Sequence, residues 1–252
     1  MSNIEVRFNM SITVKEEFNR TALVLGEKAI EKLASAKVAV FGVGGVGGYV
    51  CEALARSGVG SIDLFDADCV SLSNINRQII ALHSTVGEAK VDVMCRRILD
   101  INPDCRVNTH KIFYSPENAD EFDLSSYDYI ADAIDSLKSK IELVARACSV
   151  GVPIISSMGA ANKTDPTGFM IADISKTEYD PLARIMRREL RKRGIDHFNV
   201  VYSREIPVKP EQTSDDGQRI TLGSLSFVPS AAGLVMASKI VKDIISENGT
   251  RN

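Results

Sequence analysis

The chain has 252 residues, 44% hydrophobic and 25% charged, with 30 Lys and Arg against 33 Asp and Glu for a formal charge of -3. That balance excludes a disordered polymer, leaves enough apolar side chains for a sizeable core, and gives no overall attraction to nucleic acid. Its five cysteines, Cys51, Cys69, Cys95, Cys105 and Cys148, form no Cys-x-x-Cys pair, so structural zinc of the usual spacing is not expected and the thiols read as buried ones of a reducing compartment.

Residues 1–35 read as a helical arm containing Phe18-Asn19-Arg20-Thr21, where Arg20 by itself is an ordinary surface arginine at a helix start. Residues 36–157 read as a nucleotide-binding core within one domain. Its first strand, 37–42, contains Lys37-Val38-Ala39-Val40-Phe41, an apolar run typical of a buried parallel strand. Gly42-Val43-Gly44-Gly45-Val46-Gly47 follows and opens a helix over 46–57. A phosphate belongs at that junction. Gly42, Gly44, Gly45 and Gly47 let the main chain approach it, and the helix start offers unpaired N–H groups and a partial positive charge. The turn alone suits a dehydrogenase as well as an ATP user.

The second strand, 61–66, ends in Asp66 roughly 20 residues beyond the turn, where a carboxylate commonly grips ribose hydroxyls. Asp68 and Ser73-Asn74-Ile75-Asn76-Arg77-Gln78 come next, then Lys90 in a helix over 87–102. Asp68, Ser73, Asn74 and Asn76 join Asp66 and the glycines as expected nucleotide contacts. Arg77 and Lys90 bring two cations toward the turn, more than a dinucleotide's pyrophosphate requires. They suit a triphosphate whose departing pyrophosphate must be neutralised out of water. His83 receives no role.

A strand over 106–112 and a helix over 117–123 precede the strand 127–132, which runs into Tyr129-Ile130-Ala131-Asp132-Ala133-Ile134-Asp135-Ser136. Carboxylates there lie at the carboxyl edge of a parallel sheet. Asp132 reads as a cap or structural support, and Asp135 as a magnesium ligand shared with phosphate oxygens. A helix over 137–150 and a strand over 153–157 complete a doubly wound, mainly parallel α/β sheet of Rossmann type.

Residues 158–252 read as a crossover loop, a basic helix, and a substrate and dimer region. Short strands at 168–173, 199–203 and 225–228 are expected to extend the sheet antiparallel. Between Arg184 and Arg193 stand six basic side chains and one acidic. Arg184, Arg187, Arg188, Arg191 and Lys192 form either a solvated helix face or a contact for a phosphate backbone. Tyr179, His197, Phe198 and Tyr202 are either core or stacking surfaces for splayed bases. Residues 207–223, rich in polar residues, proline and glycine, read as a mobile surface loop. The final helix, 230–246, is the most apolar stretch, but Lys239, Lys242 and Asp243 interrupt it before the roughly 20 residues a membrane span needs. Ala231, Ala232, Gly233 and Ala237 make it a close-packing core or dimer helix. With no secretory pattern at the N-terminus, a cytoplasmic protein without membrane association is expected.

Over residues 42–136, the order Gly-x-Gly-Gly-x-Gly, Asp-x-Asp-x-Val-x-x-Ser-Asn-x-Asn-Arg-Gln, Gly-x-x-Lys and Asp-x-x-Asp-Ser resembles the ubiquitin-activating superfamily in its small bacterial form. The resemblance implies carboxylate adenylation with ATP and magnesium. It makes Arg20, Arg77, Lys90 and Asp135 the catalytic set, Arg20 reaching across a homodimer to the ATP of the other subunit.

The C-terminal half, with Thr-Glu-Tyr-Asp-Pro-Leu-Ala from Thr177, Val201-Tyr202-Ser203-Arg204-Glu205 and Gly223-Ser224-Leu225-Ser226-Phe227-Val228-Pro229, is similar to the tRNA threonylcarbamoyladenosine dehydratases. That resemblance runs from about Phe18 to Ile245. It implies that the threonyl carboxylate of the modified tRNA base is adenylated and then captured within the same base, with net loss of water. The loop from Ser157 to Pro166 lacks cysteine, in keeping with a nucleophile supplied by the substrate at high effective concentration. A monovalent cation beside magnesium, and a sulfur-carrier or desulfurase-system partner, stay open. Two other readings stand beside this one: an enzyme activating the C-terminal carboxylate of a ubiquitin-like sulfur-carrier protein, and an NAD-linked module without adenylation. Asn74, Asn76, Arg77, Lys90 and Asp135 as a set disfavour the last.

Overall fold

The computed structural model describes residues 14–209 and 222–246. Two short helices, α1 (Asn19–Leu25) and α2 (Glu27–Ser35), lead into β1 (Lys37–Phe41), α3 (Gly47–Arg56) and β2 (Ser61–Phe65). Then come α4 (Lys90–Ile101), β3 (Arg106–His110), β4 (Tyr129–Asp132), α5 (Leu137–Ser149) and β5 (Ile154–Ser157). The chain continues through β6 (Phe169–Asp173), α6 (Pro181–Arg191), β7 (Asn199–Ser203) and α7 (Phe227–Ile245).

The strands form one seven-stranded sheet in the order β3-β2-β1-β4-β5-β7-β6. Alternation along β1 builds both faces of the core, as the two-residue period of a strand requires. Val38 and Val40 pack with Leu54 of α3, Met94 of α4 and Met236 of α7, while Ala39 and Phe41 pack with Leu143 of α5 and Met186 of α6. Strand order runs outward in opposite directions from the β1–β4 pair, and the carboxyl ends of these two parallel strands open the crevice where such sheets bind ligands.

Three expectations change. Only β6 is antiparallel, to β7; β7 itself runs parallel to β5. Residues 117–123 form no α-helix but a single 3-10 turn at Ala119–Glu121, followed by another at Leu124–Ser126. The local side chains compete for the backbone: Asn118 Oδ1 accepts from Ser115 N at 2.9 Å and Asp123 Oδ1 from Ser125 N at 2.9 Å. The expected strand at 225–228 is instead the entry to α7, with Pro229 in the first turn, where its missing N–H costs nothing.

The small residues of α7 work inside this chain. A Cβ on Gly233 would stand 2.4 Å from the Val46 carbonyl oxygen, so glycine is what lets α7 lie against the start of α3. Among the described residues no helix is long and apolar enough to cross a membrane. Most of the expected 207–223 loop lies outside the described residues.

Candidate active site

The glycine turn and the segment after β4 meet at the crevice. Gly42 has φ +88°, and a Cβ there would stand 2.6 Å from the Ala133 carbonyl oxygen. Only glycine satisfies both the left-handed backbone and that approach. Gly47 is equally constrained, its Cβ position lying 1.8 Å from the Gly42 oxygen, whereas Gly44 has only the Gln78 side-chain nitrogen at 3.8 Å. Gly45 faces Pro229 at 3.3 Å and the Arg77 stem at 3.5 Å. The turn thus closes tightly at its ends and leaves an open middle beside Arg77.

Asp66 braces this turn, a role the sequence did not reveal. Its Oδ2 accepts from Val43 N at 2.7 Å and its Oδ1 from Asp68 N at 2.9 Å. Burial raises the Asp66 pKa above its ordinary value, partly offset by Lys90 and these amides. Lys90, at the first position of α4, is buried; its Nζ lies 2.6 Å from Asp68 Oδ2 and 3.8 Å from Asp66 Oδ1. The Asp68 carboxylate is largely exposed, so one of the two partners of this cation stands at the surface.

Arg77 donates from Nη1 to the Ser73 carbonyl at 3.0 Å and to Asn76 Oδ1 at 2.9 Å. Asn76 in turn donates to the Ser224 carbonyl at 2.9 Å, tying the motif to the segment before α7. Asn74 Oδ1 accepts from Ser71 N at 3.0 Å, and the Ser73 hydroxyl lies 3.0 Å from that of Ser71. Asn74 and Ser73 therefore shape the loop that carries Arg77. Gln78 turns its Nε2 toward Gly44, while its Oε1 is buried without a hydrogen-bond partner among the described residues.

Asp132 and Asp135 separate cleanly. Asp132 is fully buried, 2.9 Å from Lys140 Nζ, and accepts from Ser156 Oγ and from Ile134 N, the latter at 3.1 Å. Lys140 Nζ also donates to the Ile134 carbonyl at 3.0 Å, so Lys140 and Asp132 fix the backbone just before Asp135. No sequence spacing signalled Lys140. Asp135 itself is exposed at the mouth of the crevice. Among the described residues no three His, Cys, Asp or Glu side chains converge on a metal-sized site. A magnesium ion fits here only in its shared form, held by one carboxylate with phosphate oxygens and water.

The basic helix is more neutralised than its sequence suggests. Arg188 and Lys192 pair with Glu189 at 2.8 and 2.7 Å, and Arg191 with Asp196 at 3.0 Å. Arg187 turns inward, donating to the Thr177 carbonyl at 2.9 Å and to the Thr177 hydroxyl. Arg184 is exposed and has no ion-pair partner among the described residues. Phe198 and Tyr202 are core, while His197 and Tyr179 face solvent.

Arg20, on exposed α1, makes no contact with the crevice of its own chain through any hydrogen bond or ion pair among the described residues. Near it on α1, Leu23 is 86% and Val24 82% exposed. The five cysteines are free, and the buried expectation holds for Cys51 and Cys105 while Cys95 and Cys148 are half-buried and Cys69 is exposed. Burial raises the Cys51 thiol and pushes that of Cys105 up to about 11, which suppresses the thiolate a nucleophile needs.

A glycine cradle at the switch point of a doubly wound sheet, braced by one buried carboxylate and flanked by Arg77 and Lys90, defines an α/β protein of the nucleotide-binding class. A model of the ThiF family matches residues 18–252, and the chain belongs to that family. It is 47% identical over 242 residues to the tRNA threonylcarbamoyladenosine dehydratase of Bacillus subtilis (strain 168), covering 92% of this chain and 95% of that relative. The crystal structure of E. coli tRNA N6-threonylcarbamoyladenosine dehydratase in complex with ATP matches with a TM-score of 0.85 at 35% identity, covering 96% of this chain and 100% of that one. Its complex with AMP matches at 0.84 and 37% identity, covering 93% and 98%.

Proposed function

We propose that this chain is an ATP-dependent dehydratase of threonylcarbamoyladenosine in tRNA, activating the threonyl carboxylate as its adenylate so that capture within the same base closes a ring. The observation that carries this reading is the junction of the Gly42 turn with the Ala133–Asp135 segment, in a chain similar over 92% of its length to a dehydratase. The cradle fits ATP: the middle of the turn is open at Gly44, where the Gln78 side-chain nitrogen is the one atom within 4 Å of a Cβ position.

In this reading Gly42, Gly44, Gly45 and Gly47 present main-chain N–H groups to the phosphates, and Asp66 and Asp68 face the adenosine half. Arg77, carried by the Ser73–Asn76 loop, neutralises charge on the phosphates from the turn side. Lys90 joins it by exchanging exposed Asp68 for phosphate. Asp135 holds magnesium, which when bound offsets the negative charge of the polyphosphate. The attacking threonyl carboxylate is already ionised near neutral pH and needs no general base.

Arg20 acts from the other subunit of a homodimer. Its remoteness from partners within the chain and the exposed Leu23 and Val24 near it support that placement, since such apolar side chains suit a subunit contact. Arg184, Arg188, Arg191 and Lys192 supply the tRNA backbone contact, with Arg187 holding the helix to Thr177. Reaction class makes the protein an ATP-consuming ligase-type cyclase, working in the cytoplasm.

The test is product stoichiometry. With threonylcarbamoyl-modified tRNA, ATP and magnesium, one AMP and one pyrophosphate should appear per tRNA converted. Release of ADP and phosphate contradicts adenylation. AMP release that ignores the tRNA and follows a small carrier protein ending in Gly-Gly assigns the chain to sulfur-carrier activation.

A further inference from the structure

Tyr179 has φ +59°, in the left-handed region, and is 71% exposed. A bulky side chain rarely adopts that backbone, and only one other non-glycine residue among those described does so, Asn162. Asparagine tolerates the conformation; tyrosine gains nothing local from it.

The flanks of Tyr179 are fixed. On one side Thr177 is buried, donates its hydroxyl to the Ile174 carbonyl at 2.8 Å and receives Arg187. On the other, Asp180 caps α6 by accepting from Ala183 N at 2.9 Å and pairs with buried Lys163 at 3.2 Å. Tyr179 precedes the cap and Arg184 is the fourth residue of the helix, the two positions that a hydrophobic staple would join. Here no staple forms, because the second position is a cation and the ring stays out in solvent. Glu178 meets Arg204 at 3.4 Å alongside.

Hydrogen bonds link this segment to the crevice. Asn76, which holds Arg77, donates to Ser224; Gly223 exchanges hydrogen bonds with Asn162 at 2.6 and 2.9 Å; and the next residue, Lys163, binds Asp180. An aromatic face on a rigid mount, with exposed Arg184 and Arg204 around it, is the equipment for an unpaired nucleotide: the ring stacks on the base and the cations meet its phosphates.

We infer that Tyr179 is a stacking platform for an unpaired base of the tRNA substrate, resting on the dehydratase reading above. The left-handed backbone holds the ring outward, and the Lys163–Asp180 pair keeps that mount in register with the crossover loop.

The experiment compares wild type, Tyr179→Gly and Tyr179→Phe for thermal midpoint, ATP binding, tRNA Kd, and KM and kcat on modified tRNA. Glycine relieves the backbone while removing the ring. Tyr179→Gly should melt no lower than wild type and bind ATP equally, yet show a roughly tenfold rise in tRNA Kd and KM with kcat at saturation retained. Tyr179→Phe should match wild type. A glycine variant with wild-type tRNA Kd, or a phenylalanine variant as weak as glycine, overturns the inference. If wild type binds tRNA without dehydrating it, the dehydratase reading fails on its own, and the Kd comparison still decides the role of Tyr179.

Discussion

Replacing Lys140 by Met isolates the buried pair that holds the Asp135 segment. Both Lys140 and Asp132 are fully buried at 2.9 Å, so methionine keeps most of the volume but leaves a carboxylate without its counter-charge. Breaking a buried pair by removing one partner typically costs about 3–5 kcal/mol, a large share of the ~5–15 kcal/mol that keeps a domain folded. The Ser156 hydroxyl and Ile134 amide remain as donors to Asp132, which places the expected loss toward the lower figure. Urea denaturation at pH 7 should therefore show a lower midpoint at unchanged slope. With Asp132→Asn, which keeps an acceptor for Ile134 N, as the second substitution, the double-mutant cycle should return an interaction term on the order of 1–3 kcal/mol. Because Lys140 also holds the Ile134 carbonyl, Lys140→Met should raise the magnesium concentration required for half-maximal turnover. A variant within about 1 kcal/mol of wild type, with unchanged magnesium dependence, would refute the claim that this pair positions Asp135.

Gly42→Ala meets both a left-handed backbone and the Ala133 carbonyl; it should destabilise by more than about 1 kcal/mol and abolish ATP binding in calorimetry. Asp135→Asn should lose turnover with its urea midpoint unchanged, given its exposure. Mixed with Arg20→Ala chains it should regain partial activity, and absence of complementation removes Arg20 from the opposite subunit's site. Burial pulls the Glu52 carboxyl upward, but Arg97 at 2.6 Å and Arg56 at 2.8 Å outweigh it and hold its pKa below the ordinary value. A depressed folded pKa stabilises above the unfolded value of about 4.3 and is lost as pH falls through the folded one. Glu52→Gln should thus lower the thermal midpoint near neutrality, and the gap from wild type should close on acidification below about pH 4.

The half of the fold around the crevice was legible because its signals are local. The run Val38 to Phe41 and the glycines after it specify strand, turn and helix within a few residues, and each glycine at a tight approach has no substitute. Strand direction was not legible in the C-terminal half: β7 has the same apolar pattern whether it runs with or against β5. The segment 117–123 misled because its polar side chains occupy the backbone groups a helix would use. The start of α7 misled because a proline in a first helical turn reads like a break. At the site, Asp132 as support followed from its place at the strand end; the exposure of Asp135, three residues on, did not show in the sequence. Lys140, Ser156 and Lys163 were invisible, since a charge pair buried across elements leaves no spacing in the chain. The inward turn of Arg187 was hidden for the same reason, its acceptors lying on the loop before α6.

The most direct test of the account is mass spectrometry of nucleosides from threonylcarbamoyl-modified tRNA incubated with the protein, ATP and magnesium, under a workup gentle enough to preserve a cyclic product. The account predicts a modified adenosine lighter by one water, formed only when ATP is present and not by Asp135→Asn. An unchanged nucleoside mass, under conditions where the protein binds both ATP and the tRNA, would contradict it.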